Sequence, residues 1–135
     1  MNFEGLKTSI LIVDDDPGIL ETMADILMEK NWAVVVASDG YKAIEMIKVR
    51  QVDAIVMDIR MPGLDGIATY KLMKKTINVP RTIFMTAYAF EDTIREAIAE
   101  GAIAVLLKPI DIKVLESFLK NGLQTCNNKE TRMFY

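Results

Sequence analysis

The sequence predicts a doubly wound α/β fold, a three-layer (βα)5 sandwich built on a five-stranded parallel sheet. Two observations predict it. Five short runs rich in β-branched residues recur along the chain, and each is followed by a segment whose apolar residues fall at helical spacing. The runs read as continuous apolar stretches without in/out alternation, the pattern of strands covered on both faces.

Ser9–Val13 is the first predicted strand, and it ends in Asp14, Asp15 and Asp16. Asp16 is placed to cap the helix that Pro17 opens, because its carboxylate can accept the free N–H groups of the first turn and proline has no N–H to leave unpaired. That helix carries Ile19, Met23, Ile26 and Leu27 on one side. Ala33–Ala37 is the second strand and Gly40–Val49 the second helix. Residues 54–57 form the third strand, ending at Asp58, and Gly63 and Gly66 punctuate the connection to a helix over 67–76. Residues 81–85 form the fourth strand, ending at Thr86, before a helix over Glu91–Glu100 that stops at Gly101. Ala104–Leu107 is the fifth strand, followed by Lys108 and Pro109 and a last helix over 111–123. All five strands are expected to be buried. The pattern then decays into polar residues, so residues 1–123 are expected to form one domain and 124–135 a polar tail or the start of a linker.

Composition narrows the function. The 135 residues fit a single domain, and 51% hydrophobic with 26% charged residues is the balance of a compact globular chain, not a disordered one. A net charge of -3 supplies no basic footprint for nucleic acid. No apolar run approaches the roughly 18 residues of a membrane span, and the first eight residues lack a signal peptide's basic start and apolar middle, so a cytoplasmic location is expected. Cys126 is the single cysteine, has no disulfide partner, and reads as a bystander. The chain contains no histidine, so any histidine chemistry must come from a partner.

In an open parallel sheet, ligands bind outside the carboxyl ends of the strands, beside the point where strand order reverses. The residues at those ends are therefore the candidates: Asp14, Asp15, Asp16, Asp58, Thr86 and Lys108. Each alone has a plainer explanation, since aspartates at strand-to-helix turns cap helices, which suffices for Asp16. Convergence of four strand ends at one sheet edge is what singles out the rest. Three carboxylates within about 4 Å would repel by several kcal/mol per pair at an effective dielectric near 20, so the cluster calls for a cation. An all-oxygen donor set suits Mg²⁺ or Mn²⁺ and disfavours zinc. Lys108 can neutralise an anionic group placed on Asp58, and Thr86 can donate a hydrogen bond to it.

The stretches Ile10-Leu-Ile-Val-Asp-Asp-Asp-Pro17, Asp53-Ala-Ile-Val-Met-Asp-Ile-Arg-Met-Pro-Gly-Leu-Asp-Gly66, Met85-Thr-Ala-Tyr88 and Leu107-Lys-Pro109 resemble, in order and spacing, the receiver domain of two-component response regulators. The resemblance implies a flavodoxin-like strand order 2-1-3-4-5. It makes Asp58 the phosphoacceptor for a phosphohistidine on a sensor histidine kinase or histidine phosphotransfer protein. Asp14, Asp15, Asp58 and the backbone carbonyl of Arg60 would surround the metal, and Thr86 and Lys108 would contact the phosphoryl group. Lys108-Pro109 would be a cis peptide. The output would be the surface of helix 4, strand 5 and helix 5, used by an effector domain, a target protein or a dimer partner. Such a domain assists its own phosphorylation and dephosphorylation without being a conventional enzyme.

Where many relatives carry an aromatic residue or histidine that swings inward on activation, this chain has Val105. Tyr88 and Phe90 offer another readout, although two aromatics beside a loop are expected to be partial core. Arg60 and Tyr88 would flank the path of attacking water. Among other classes, an aspartate-nucleophile phosphatase of the haloacid dehalogenase type needs a second Asp where Arg60 stands, and a flavodoxin-like FMN carrier needs a phosphate loop that Asp14, Asp15 and Asp16 would repel.

Overall fold

The computed structural model describes residues 7–121. Five strands, β1 (Ser9–Val13), β2 (Ala33–Ala37), β3 (Ala54–Asp58), β4 (Arg81–Thr86) and β5 (Ala104–Leu107), alternate with α1 (Pro17–Glu29), α2 (Gly40–Val49), α3 (Gly66–Thr76), α4 (Glu91–Glu100) and α5 (Ile112–Asn121). The strands pair in parallel in the order β2-β1-β3-β4-β5, so the order reverses between β1 and β3.

Successive strand residues point to opposite faces, which divides the apolar runs between two cores. Ile10, Ile12, Val56, Ile83, Met85 and Leu106 pack with Leu20, Met23 and Leu27 of α1 and Leu115 and Leu119 of α5. Leu11, Val13, Ile55, Met57, Phe84 and Val105 pack with Ala43 of α2, Ile67, Tyr70 and Met73 of α3, and Ile94 and Ala97 of α4. At about 25 cal/mol per Å² of apolar surface removed from water, these layers drive the collapse. The helices are fixed in register by aspartate caps. Asp16 accepts from Gly18 N (2.8 Å), Asp39 from Lys42 N (2.7 Å), Asp65 from Ala68 N (2.8 Å) and Asp111 from Lys113 N (2.9 Å).

The structure departs from expectation in a few places. β3 and β4 each run one residue further, so Asp58 and Thr86 belong to the ladder, opposite Met85 and Leu107. α3 begins one residue earlier, at Gly66, and α5 one later, at Ile112, because Asp111 serves as its cap. β2 is not a buried strand: only Ala37 is fully covered and Val36 is 41% exposed, because β2 lies at the sheet edge with one neighbour. The expected end of the last helix at residue 123, the polar tail and Cys126 lie outside the described residues. The Lys108-Pro109 bond is cis. Among the described residues, no helix is long and apolar enough to cross a membrane.

Candidate functional site

Parallel strands deliver all their carboxyl ends to one edge, and the reversal between β1 and β3 leaves a crevice there. Asp14 extends β1 by donating its backbone N–H to Ala37 O (3.2 Å), which turns its side chain into the crevice, where it is 0% exposed. Asp58 closes β3 and is 5% exposed. Its position depends on a glycine next door: a Cβ on Gly66 would lie 2.2 Å from the Asp58 carbonyl oxygen, so α3 can start this close only without a side chain. One carboxylate oxygen from each of Asp14, Asp15 and Asp58 lies within 4.8 Å of the others, and Asp15 is exposed at the mouth.

Lys108 enters from the end of β5, its backbone held by an N–H bond to Thr86 O (2.8 Å). The ammonium donates to Asp14 Oδ2 at 2.8 Å and to Asp58 Oδ2 at 2.9 Å, bridging the two buried carboxylates. The other oxygens are also satisfied. Asp14 Oδ1 accepts from Asp16 N (2.9 Å) and Asp58 Oδ1 from Arg60 N (3.2 Å).

Burial pushes the Asp58 carboxyl above the usual aspartate range, and the neighbouring Asp14 charge adds to the rise, while Lys108 and the Arg60 N–H pull against it. For Lys108, burial favours the neutral amine, but hydrogen bonds and charge from Asp14 and Asp58 outweigh it and hold the ammonium above its ordinary value. The lysine is therefore charged at neutral pH. Both shifts follow from two anions sharing one cation out of water.

Thr86 is buried, and its hydroxyl is engaged with its own loop: Oγ1 donates to Tyr88 O (3.2 Å) and accepts from Tyr88 N (3.1 Å). The expectation that Tyr88 and Phe90 are partial core is corrected, since both are 52% exposed. Their rings lie parallel, and the Arg60 guanidinium sits over both. Val105 lies in the core beside Ala97 and Phe84, apart from the carboxylate cluster. Asp14, Asp15, Asp58 and Lys108 are thus brought together as expected, with Thr86 alongside. Gly66 and Phe90 are the contributors that the motif left unassigned; the close spacing of Asp58 and Gly66 was the available signal for the first.

A buried carboxylate closing β3, two further carboxylates and a bridging lysine at the switch of a 2-1-3-4-5 sheet define the class of response regulator receiver domains. The profile of that family, the response regulator receiver domain, matches residues 10–120, and the chain belongs to it. The carboxylate cluster is typical of the family's phosphorylation site. Among similar proteins, sporulation initiation phosphotransferase F of Bacillus subtilis is 32% identical over 123 residues, covering 91% of this chain and 99% of that protein. The transcriptional regulatory protein ZraR of Escherichia coli O157:H7 is 35% identical over 114 residues, covering 84% of this chain but 26% of ZraR. The chain therefore spans about a quarter of that relative's length. A two-component response regulator from Clostridium difficile superposes with a TM-score of 0.82 at 25% identity, covering 90% of this chain and all of that one. Response regulator TrrA from Thermotoga maritima, in complex with Mg²⁺ and BeF, gives 0.75 at 26% identity, with 84% and 97% covered. The haloacid dehalogenase alternative gains no support, since Arg60 occupies its acid's position with a cation laid over aromatic rings.

Proposed function

We propose that Asp58 takes a phosphoryl group from a phosphohistidine on a sensor histidine kinase or phosphotransfer protein, and that the other strand-end residues read the charge it acquires. A carboxylate oxygen of Asp58 bonds to phosphorus as the phosphorus–nitrogen bond to histidine breaks, and the electron pair leaves with the imidazole, which takes up a proton. The observation that carries this reading is Lys108, whose ammonium lies 2.9 Å from Asp58 and 2.8 Å from Asp14 and is placed to meet a new anion. An apolar groove of about 660 Å³ beside Lys108, lined by Ile19, Met23, Ile26, Pro109, Ile110 and Ile112, supports approach of a partner helix to this edge.

The donor set fits a hard divalent ion: the clustered atoms are carboxylate oxygens, with no sulfur or imidazole among them. Asp14, Asp15, Asp58 and the backbone carbonyl of Arg60 would hold Mg²⁺ or Mn²⁺. Bound there, the ion would offset charge developing on the phosphoryl oxygens. Thr86 would release Tyr88 and donate to a phosphoryl oxygen, and Lys108 would form an ion pair with the phosphoryl group.

Because Thr86 and Lys108 end β4 and β5, their movement biases the surface formed by α4, β5 and α5, which an effector domain, a target protein or a second copy would recognise. Tyr88 and Lys108 take part in this readout, and Val105 transmits it as packing instead of as an aromatic rotamer. The domain occupies residues 1–123, with 124–135 a tail or linker, and acts in the cytoplasm without binding nucleic acid directly. It promotes only its own phosphorylation and dephosphorylation. The test is incubation with acetyl phosphate and Mg²⁺ followed by intact mass. One phosphoryl group should be gained by the parent and none by Asp58→Asn; no gain in the parent would end the reading.

A further inference from the structure

Phe90 stands where a helix cap belongs. α1, α2 and α3 are each capped by an aspartate, but the N-cap of α4 is Phe90, which makes no side-chain cap bond. Helix stability alone would favour Ser, Thr, Asp or Asn there. The ring also lies half in water, so core packing does not account for it. What it does contact is specific: Phe90 and Tyr88 lie 5.9 Å apart between centroids with planes 7° from parallel, and the Arg60 guanidinium sits 4.9 Å from one centroid and 5.1 Å from the other. Arg60 has no carboxylate partner among the described residues, so its charge is directed at the rings.

This stack joins two loops that both touch the site. Arg60 follows Asp58 and donates its backbone N–H to Asp58 Oδ1 at 3.2 Å. Tyr88 follows Thr86 and holds the Thr86 hydroxyl through both its backbone N–H and its carbonyl. Thr86 cannot turn its hydroxyl elsewhere without giving up two bonds to a residue whose ring is pinned by Arg60 and Phe90.

We propose that Arg60, Tyr88 and Phe90 form a clasp that holds the β4–α4 loop in the arrangement seen here, opposing transfer of the Thr86 hydroxyl to a group bound on Asp58. The clasp rests on Asp58 being the phosphoacceptor and sets the resting balance of the switch. Any ligand on Asp58 that recruits Thr86 must open it, so its strength subtracts from the ligand's apparent affinity. A stack of exposed rings and one cation is worth a shift of about two- to fivefold in that balance. Phe90 is a positioning residue, acting through Tyr88.

The variant that separates this role from simple helix support is Phe90→Ser, which removes a ring from the clasp while installing a favourable cap. Beryllium fluoride with Mg²⁺, a stand-in for the phosphoryl group, is titrated into the parent, Phe90→Ser, Phe90→Tyr and Asp58→Asn, with backbone NMR as readout. The expected result is about two- to fivefold tighter binding by Phe90→Ser, unchanged binding by Phe90→Tyr, and resting Thr86 and Tyr88 amide shifts in Phe90→Ser already displaced toward the bound positions. Equal affinity and superimposable resting shifts in the parent and a folded Phe90→Ser would overturn the clasp while leaving Asp58 intact. Failure of the parent to bind, or binding by Asp58→Asn equal to the parent's, would overturn the phosphoacceptor reading and the clasp with it.

Discussion

Replacing Lys108 by methionine keeps most of the side chain's volume and deletes the one cation shared by Asp14 and Asp58. Contacts of 2.8 and 2.9 Å correspond to about 6 kcal/mol each at an effective dielectric of 20. The two carboxylates, within 4.8 Å of each other, repel by about 3.5 kcal/mol on the same scale. Desolvation of the three groups offsets much of the attraction, so deletion of one partner from a buried pair is measured at about 3–5 kcal/mol. The crevice opens at Asp15, and water can relax into the site, which places Lys108→Met near the lower figure, about 3 kcal/mol at pH 7.5.

The loss should depend on pH. Asp58 has its carboxyl raised above 3.8 by burial, then by Asp14, with Lys108 acting to lower it. A raised folded value means that the native state binds the proton more readily than the unfolded chain. Its contribution to stability is therefore fully present below about 3.8 and is lost as pH rises through the folded value. Removing Lys108 moves the folded value higher and carries that loss into a more alkaline window. Urea unfolding in EDTA at pH 5 and pH 7.5 should show a smaller deficit at the lower pH. A deficit that is the same at both pH values, or larger at pH 5, would refute this electrostatic reasoning.

Gly66→Ala should destabilise by about 2–3 kcal/mol and slow phosphorylation, because its Cβ would meet the Asp58 carbonyl at 2.2 Å; urea unfolding and acetyl phosphate kinetics check both. Mg²⁺ at a hundredfold excess over its dissociation constant should raise stability by about 2.7 kcal/mol, and EDTA or Asp15→Asn should abolish the gain in thermal or urea unfolding. Glu116 is held below 4.5 by the Trp32 indole N–H at 3.0 Å and by Lys30 and Lys120, against the opposing effect of burial. Its stabilisation is present above 4.5 and lost as pH falls through the lowered folded value. Lys30 and Lys120 are exposed and their charges screened, so Glu116→Gln should cost about 0.5 kcal/mol at pH 7 and progressively less in acid, as read by urea unfolding across pH.

The strand positions were legible because buried parallel strands are continuous apolar runs, and the strand ends carried the chemistry. The extra ladder residues were not, because Asp58 and Thr86 are polar and interrupt the run that signals a strand. β2 misled for the opposite reason: Val34, Val35 and Val36 read like a central strand, and only the pairing order reveals an edge. The Lys108 bridge closes over sequence separations of 94 and 50 residues, beyond any local pattern. The same holds for the stack of Arg60 on Tyr88 and Phe90, since ring orientation on a short loop depends on what crosses from the neighbouring strand. Gly66 reads as a turn residue in the sequence, and its close approach to Asp58 becomes visible only once α3 is packed.

Treatment with acetyl phosphate and Mg²⁺, reduction with borohydride and peptide mass mapping would test most directly that Asp58 is the phosphoacceptor. Borohydride converts an aspartyl phosphate to homoserine, so the expected result is homoserine at position 58, with Asp14 and Asp15 unchanged and no conversion in Asp58→Asn. Conversion at Asp14 or Asp15 in the parent, or none at position 58, would contradict it.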